Sequence, residues 1–337
     1  MITRRLLAGL TLGVVAVTTA CGSSDSDGAS GSEGGEGGTG EVVGTVDRGT
    51  TKEVTQAGDT LKVVALGWSD GEIALDLGVA PTAIYDWQSH GEDNKGVGPW
   101  ATEKFGDAEV DVIENTGTTY NYEQIELLEP DLILNVRAAG DEKVLNRLAE
   151  IAPVAASPEG TADFAINWRD QVEIIGKAIG KDEEATTKID ETTQSIEQAA
   201  SDHPEFKDKT FVWGSKFGDA YGANLEGDAR FDVFAEMGFV ANPPLAKLAP
   251  SGFYAPVSVE QVDAMDADVA ILTTIGLPLK DLESDRLITS LDVVKEDRAL
   301  LLDEKDESVV ALSAGTPQSI SLAVEKVVPE LAERAES

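Results

Sequence analysis

Short apolar runs alternate with amphipathic stretches along most of this chain. Residues 61–66, 81–85 and 152–156 are compact apolar runs of the length of buried strands. Apolar residues at helical spacing lie between them, as at residues 70–77 and 142–150. Short strands that alternate with helices are typical of an α/β fold with a largely parallel sheet. We therefore predict an α/β lobe in the first half of the chain.

The pattern changes to a long helical segment at residues 162–200. Apolar residues recur there at intervals of three and four, and Gly180 is expected to divide the segment into two helices. The second helix alone would extend about 30 Å at 1.5 Å per residue, long enough to cross from one lobe to another. Beyond it, a strand at residues 211–213, a helix at 231–238 and a strand at 300–302 predict a second α/β lobe.

One segment of the sequence occurs twice in similar form. Residues 123–134 return as residues 260–271, with the same Glu, Gln and Asp at three matching positions. In both copies a polar residue, Asn121 or Ser258, stands three positions before the Gln, which predicts a helix N-cap. A short helix, an acidic turn and a buried strand follow. The repeat predicts two similar lobes, and a cleft between lobes is a usual place for a small ligand.

The N-terminus has the composition of an export signal over residues 1–20. Arg4 and Arg5 precede an apolar run that is shorter than the roughly 20 residues that span a bilayer. Cys21, the only cysteine of the chain, follows directly. This arrangement resembles a bacterial lipobox, with cleavage before Cys21 and lipid on its sulfur. An ordinary cleavage site that leaves a free thiol is the alternative.

The segments after the signal predict a tethered, two-lobed protein. Residues 21–58 begin with Gly, Ser and acidic residues, and we expect a solvated tether that holds the protein at the outer face of the membrane. Residues 59–160 are then the N-terminal lobe, 161–204 the linking helical segment and 205–337 the C-terminal lobe.

The net charge of the chain argues against some classes of binding partner. The formal net charge is −36 at pH 7, which argues against nucleic-acid binding because that requires clustered Lys and Arg. It also disfavours strongly anionic ligands unless cationic residues line their site. The chain has two histidines and one cysteine, so we expect no site for a bare metal ion.

The segment from Gly67 to Gly71 fits the G-x-S-x-G pattern of a hydrolase nucleophile elbow. No histidine follows His203, so the late histidine of such a triad is lacking. Ser69 and Glu72 also fit a helix capping box, which explains them without catalysis. A secreted serine hydrolase that uses Ser69 is kept as a remote alternative.

Several segments, taken in order, resemble one known family. They are residues 64–70, 77–79, 123–134, 151–154 and 313–320. Together they are similar to the substrate-binding lipoproteins of ABC importers for ferric siderophores and, more distantly, for vitamin B12 and haem. The resemblance implies two α/β lobes with mainly parallel sheets, joined by one long rigid helix, with a ligand cleft between them. It implies a binding protein and not an enzyme.

The resemblance also implies partners. It implies that Glu123 and Glu260 dock on arginines of the two permease subunits. A simple favourable interaction of each Glu with its helix dipole is the alternative. We expect a monomer that delivers an iron complex already chelated, with no cofactor of its own. Haem or a cobalamin-type ligand stays open, and the acidic chain favours a hydroxamate over a catecholate siderophore.

Candidate ligand-binding residues are a cation and a set of aromatic residues. Arg137 follows the strand after the first repeat copy, where the family often has a cleft residue, and could donate paired hydrogen bonds to ligand oxygens. A surface pair with Asp141 or Glu142 is the alternative. The aromatic residues at predicted strand ends or loops suit a ligand with apolar arms, although each could instead pack in a core. They are Trp68, Trp87, Trp100, Trp213, Tyr221 and Tyr254, of which Trp68, Trp213 and Tyr221 are favoured.

Overall fold

Two large sheets organise the part of the chain that the computed structural model describes. This part comprises residues 40–48, 50–117, 119–248 and 253–336. The predicted export signal, Cys21 and the start of the predicted tether lie outside it. None of the helices within it combines the length and the apolar composition that a membrane crossing requires.

The described part begins with a β-hairpin. β1 (Glu41–Asp47) pairs antiparallel with β2 (Thr51–Gln56), and Val46 and Val54 are buried. This corrects the predicted tether of residues 21–58, because most of its second half is folded. The composition of the segment resembles a tether, but its β-branched residues favour strands once they can pack on another surface.

The N-terminal lobe is built on five parallel strands. They are β3 (Val63–Ala65), β4 (Ala83–Asp86), β5 (Asp111–Glu114), β6 (Leu132–Asn135) and β7 (Val154–Ala156). Their order across the sheet is β5-β4-β3-β6-β7. The central strands are buried on both faces, which is why they occur as continuous apolar runs in the sequence. The strands predicted at residues 61–66, 81–85 and 152–156 are confirmed within two residues at each end.

Five helices belong to this lobe and to the link that follows it. They are α1 (Asp70–Asp76), α2 (Tyr122–Leu127), α3 (Glu142–Ala149), α4 (Trp168–Ala178) and α5 (Asp182–Asp202). Gly180 separates α4 from α5 with a φ of 69°, a left-handed conformation that glycine adopts easily, so the predicted break is confirmed. A Cβ on Gly180 would lie 2.0 Å from the carbonyl oxygen of Val43, so the hairpin packs directly on this junction.

The C-terminal lobe has a mixed sheet. Its strands are β8 (Thr210–Phe217), β9 (Ala220–Asn224), β10 (Val240–Ala241), β11 (Tyr254–Val257), β12 (Val269–Thr274) and β13 (Ala299–Leu302). The order is β11-β9-β8-β12-β13, and β10 lies parallel to the start of β8. β8, β12 and β13 are parallel, whereas β9 runs antiparallel to both of its neighbours.

Helices cover this second sheet as well. They are α6 (Ala229–Glu236), α7 (Pro243–Ala246), α8 (Leu279–Glu283), α9 (Asp292–Lys295), α10 (Glu307–Ala314) and α11 (Pro317–Ala335). Short 3₁₀ helices occur at Glu92–Asn94, Thr102–Phe105, Pro204–Phe206, Val259–Met265 and Ile288–Ser290.

The two copies of the repeated segment differ in their helix type and capping. Asn121 caps α2 as predicted, since its side chain accepts a hydrogen bond from the backbone N–H of Gln124 at 3.2 Å. The second copy forms a 3₁₀ helix and not an α-helix, and the side chain of Ser258 bonds to the Gln261 side chain instead of capping. Both copies lead into a buried strand, β6 or β12, so the predicted pseudo-symmetry of the lobes is present.

One hydrophobic core connects the two lobes through the linking helices. It extends from Val63 in the first sheet through Val172 of α4 and Ile196 of α5 to Phe211 in the second sheet and Leu331 of α11. The predicted architecture of two α/β lobes with mainly parallel sheets and a helical link is confirmed. The carboxyl ends of the strands face a shared space between the lobes, where the functional candidates lie.

Candidate ligand cleft

A cleft of about 1250 Å³ opens between the two lobes. The N-terminal lobe lines it with residues that follow β3 and β4, and the C-terminal lobe lines it with residues from strand ends and from the segment around α10. The first set includes Trp68, Trp87, Gln88, His90 and Trp100, and the second includes Phe217, Arg230, Phe253, Tyr254, Ile275 and Lys305.

Stacked indoles form the wall on the N-terminal side. The rings of Trp68 and Trp87 lie 4.5 Å apart at an angle of 10°, and the ring of Phe164 stacks on Trp68 at 4.2 Å. The carbonyl oxygen of Trp68 accepts a hydrogen bond from Gln171 of α4 at 2.8 Å, which fixes the loop. These contacts give the cleft a rigid, flat aromatic surface.

Apolar side chains form the opposite wall. Phe217 and Ile275 are large apolar residues with exposed fractions of 36% and 47%, and both face the cleft. Tyr254 lies across Gly222 so closely that a Cβ there would be 2.2 Å from its ring, so the sheet needs glycine at this position. Burial raises the pKa of Tyr254 to about 12, and its phenol is neutral at physiological pH.

A buried ion network joins the two lobes below the indoles. Arg137, at the end of β6, donates to Asp228 of the C-terminal lobe at 3.0 Å and to the carbonyl oxygens of Ser313 and Ala314 at 3.1 and 3.2 Å. The Arg137 side chain is 3% exposed and that of Asp228 is fully buried. Arg137 therefore lies beneath the cleft surface and holds the lobes together.

Arg230 completes this network and reaches the cleft. Its Nε donates to Asp228 at 2.7 Å, while its side chain stays 15% exposed and lines the cavity. Burial alone would raise the pKa of Asp228, but Arg230 and Arg137 hold it below its usual range. Two arginines share the Asp228 carboxylate, and a second buried carboxylate, that of Asp70, also interacts with Arg137.

The rim of the cleft carries further charged groups. Glu307 pairs with Lys326, whereas the Lys305 ammonium makes no ion pair with any described residue. Burial lowers the pKa of His90, which contacts Gln88 at 3.3 Å, so this imidazole is neutral at physiological pH. In the described ranges, no group of three or more His, Cys, Asp or Glu side chains is placed to hold a metal ion.

Comparison with known proteins identifies the family. The chain matches the sequence profile of the periplasmic binding proteins over residues 63–305. The chain belongs to the periplasmic binding protein family. Its members are extracytoplasmic solute-binding proteins, so the resemblance predicted from the sequence motifs is confirmed.

Individual relatives agree with this assignment. The Fe(3+)-citrate-binding protein YfmC of Bacillus subtilis strain 168 is 26% identical over 224 residues, and the match covers 66% of this chain and 65% of that relative. The chain thus matches less than two thirds of the relative's length. A periplasmic solute binding protein from Mycobacterium smegmatis MC2 155 is 27% identical with a TM-score of 0.73, and the match covers 87% of this chain and 98% of that one. PiaA of Streptococcus pneumoniae TIGR4 in complex with ferrichrome is 24% identical with a TM-score of 0.69, over 87% and 98% of the two chains.

Four of the predicted aromatic residues line the cleft of this periplasmic binding protein, and two do not. Trp68, Trp87, Trp100 and Tyr254 are at the cavity, and their contact with a ligand stays a prediction. Trp213 is 1% exposed and packs near Phe234 in the core. The prediction for Trp213 was wrong because β8 continues four residues beyond it, so Trp213 lies in the middle of a strand.

Tyr221 and Arg137 are also placed differently from the prediction. Tyr221 is 3% exposed, and its hydroxyl donates to Asp285 at 2.6 Å inside the C-terminal lobe. Arg137 pairs with neither Asp141 nor Glu142, nor does it line the cavity, because Asp228 and two backbone carbonyls satisfy it in the interior. The arginine that does line the cavity is Arg230, which the sequence reasoning missed. The feature of the sequence that could have indicated Arg230 is Asp228, the N-cap of α6, which lies two residues before it.

The G-x-S-x-G segment has a packing explanation. A Cβ on Gly67 would lie 2.2 Å from the Asp70 carboxylate, and one on Gly71 would lie 2.8 Å from Ile84. Ser69 is buried in a left-handed conformation, its Oγ has no hydrogen-bond partner among the described residues, and it does not cap α1. The predicted capping box is wrong, and the ring nitrogens of both histidines bond to other residues, His90 to Gln88 and His203 to Glu205.

The two predicted docking residues occupy matching positions. Glu123 lies in the first turn of α2 and Glu260 in the first turn of the 3₁₀ helix Val259–Met265, and both are exposed. Leu127 and Val259 are exposed apolar neighbours, at 84% and 54%. The docking role itself stays a prediction.

Proposed function

We propose that this protein captures a ferric siderophore in the cleft between its lobes and delivers it to the permease dimer of an ABC importer. The observation that supports this proposal most is the aromatic cleft with the partly exposed Arg230 guanidinium at its floor. Among relatives, PiaA has been solved with ferrichrome and YfmC is a Fe(3+)-citrate-binding protein.

The chemistry of the cleft suits a chelated ion as its cargo. A siderophore already saturates the coordination of ferric iron, so the protein must recognise an organic surface and a set of oxygen atoms. Stacked Trp68 and Trp87 offer flat apolar area, and the Arg230 guanidinium can donate to chelate oxygens. A volume of about 1250 Å³ accommodates a ligand larger than an amino acid or a sugar.

A hydroxamate is the preferred chelate class in this proposal. Ferric tris-catecholates carry several negative charges, and the whole protein carries a formal charge of −36. The Arg230 guanidinium at the cleft floor can donate to oxygen acceptors, but a single guanidinium does not offset several ligand charges. For haem, a tyrosinate ligand from Tyr254 is disfavoured because burial raises its pKa to about 12.

A binding titration tests the function. The purified protein is titrated with an iron-loaded trihydroxamate, an iron-loaded tris-catecholate, ferric citrate, haem and cobalamin, with intrinsic tryptophan fluorescence as the readout. We expect saturable quenching by the hydroxamate complex at the lowest concentration, since Trp68 and Trp87 line the cleft. Tighter binding of the catecholate would contradict the preferred class, and no saturable response to any iron complex would contradict the function.

Anchoring and delivery are separate parts of the proposal. Cys21 is proposed to carry the lipid, and Glu123 and Glu260 to meet cationic residues of the two permease subunits, since paired exposed carboxylates on rigid lobes favour oriented encounter. The double variant Glu123→Lys, Glu260→Lys should bind ligand like the wild type but support no uptake by cells. Uptake at the wild-type rate would refute docking through these residues, and Cys21→Ala should release the protein from membranes.

A further inference from the structure

Glu72 is a buried acid whose hydrogen bonds hold a loop that lines the cleft. It lies on α1 and is 5% exposed. One carboxylate oxygen accepts from the backbone N–H of Gly98 and the other from the indole N–H of Trp100, each at 3.0 Å. Both donors belong to the loop of residues 87–101, called here the Trp100 loop, which lines the cleft.

Trp100 is held at several points, of which Glu72 supplies the one on its ring nitrogen. The ring lies over Gly98 so closely that a Cβ there would be 2.2 Å away. The Trp100 carbonyl oxygen accepts from Gln318 of the C-terminal lobe at 2.7 Å. His90 meets the ring edge to face at 6.2 Å. Trp100 therefore contacts both lobes, and its orientation shapes the cleft.

Holding this loop with a buried carboxylate lowers the stability of the folded protein. Burial raises the pKa of Glu72 to about 7, although the N–H donors of Gly98 and Trp100 oppose that effect. Asp76 on the same helix raises this pKa further, whereas Lys104, its ion-pair partner, lowers it, and Lys188 of α5 lies 3.8 Å from Asp76. A group that costs stability but orients a cleft residue is better explained by function than by folding.

We propose that Glu72 is a positioning residue of the ligand cleft, whose ionised carboxylate orients Trp100 and makes ligand capture weaken in acidic medium. This inference rests on the proposed function, because it takes the cleft as the ligand site. A protonated carboxyl carries a hydrogen on one oxygen, and that oxygen then donates where it previously accepted. The protonated oxygen is a weaker acceptor, so the N–H group that faces it, that of Gly98 or of Trp100, loses most of its hydrogen bond, and the loop loosens.

The test compares Glu72→Gln with the wild type in binding an iron-loaded trihydroxamate between pH 8 and pH 5.5. Wild-type affinity should fall about tenfold across this range, the effect of one hydrogen bond to a charged group, with a midpoint near pH 7. Glu72→Gln should bind at the lower affinity throughout, because an amide offers one acceptor to two donors. Glu92→Gln, an exposed acid on the same loop, should follow the wild type.

Other buried acids titrate in this range, but Glu72→Gln retains them, so the difference between the two profiles isolates Glu72. Full affinity of Glu72→Gln at pH 8, or a pH profile as steep as that of the wild type, would overturn the inference.

The indole ¹H–¹⁵N resonance of Trp100, assigned with Trp100→Phe, provides a readout without ligand. It should shift with a midpoint near pH 7 in the wild type, and a constant resonance would overturn the role. Failure of the wild type to bind any iron complex at pH 8 would overturn the proposed function instead, while the indole resonance still decides whether Glu72 holds Trp100.

Discussion

Replacement of Arg137 by Met tests whether this residue holds the lobes together. The substitution keeps the approximate volume and removes a hydrogen bond to Asp228 at 3.0 Å and two bonds to backbone carbonyls at the end of α10. Breaking a buried ion pair costs about 3–5 kcal/mol, mostly because the partner is left uncompensated. Asp228 keeps Arg230, so we expect the lower end, about 3 kcal/mol of unfolding free energy.

The matched variant is Asp228→Asn, which removes the carboxylate that both Arg137 and Arg230 contact and leaves Asp70 as the remaining acid that interacts with Arg137. Its loss should exceed that of Arg137→Met and approach about 5 kcal/mol. The control is Arg147→Met, which removes an exposed pair with Glu150 and should unfold like the wild type.

Urea unfolding followed by far-UV circular dichroism measures these differences, with the slope compared among variants. Asp228 has a lowered pKa, so its stabilising effect is present above the ordinary carboxyl pKa and is lost only as pH falls through the lower, folded-state value. An Arg137→Met protein as stable as the wild type at pH 7, or an Asp228→Asn protein more stable than Arg137→Met, would refute this account of the interlobe contact.

Three further predictions follow from the site and the core. Arg230→Met should weaken binding of an iron-loaded trihydroxamate at least tenfold in equilibrium titration, and unchanged affinity would exclude a ligand contact. Trp213→Leu should lower the unfolding free energy by about 2 kcal/mol with affinity retained, and loss of binding by the folded variant would contradict its core position. Burial raises the pKa of Asp232 to about 7, so the folded chain binds this proton more tightly than the unfolded chain, and the wild-type melting temperature should rise from pH 8 to pH 5.5. Asp232→Asn should reduce that rise, and an equal rise in both proteins would contradict it.

The sequence predicted the parts of the fold that depend on local pattern. Strands such as β6 are apolar at nearly every position because both faces are covered, and Gly180 marked the break between α4 and α5. The antiparallel strand β9 was not predicted, because its sequence AYGAN contains small residues that fit only against Tyr254 and the neighbouring strand. The hairpin at the start was missed because its valines lie in a segment of tether-like composition.

Prediction of the site was limited by strand length and by long-range pairing. Trp68 and Trp87 were found because they directly follow buried strands, whose ends meet at the cleft. Trp213 was misplaced because β8 continues through Gly-Ser-Lys to Phe217, and no local pattern shows that these polar residues are buried in a sheet. Arg137 was expected at the cleft and Arg230 was missed because Asp228, the partner that holds Arg137 in the interior, is 91 residues from Arg137 in sequence.

Several hydrogen bonds that join the lobes beside the cleft involve residues near the C-terminus, which are synthesised last. Gln88 donates to the carbonyl of Val310, Arg137 to those of Ser313 and Ala314, and Gln318 to that of Trp100. A chain that emerges N-terminus first can assemble its first sheet long before these groups exist, and until then the Arg137 guanidinium stays hydrated. The cleft can therefore take its final form only after α10 and the start of α11 have been made, because these four hydrogen bonds depend on those helices.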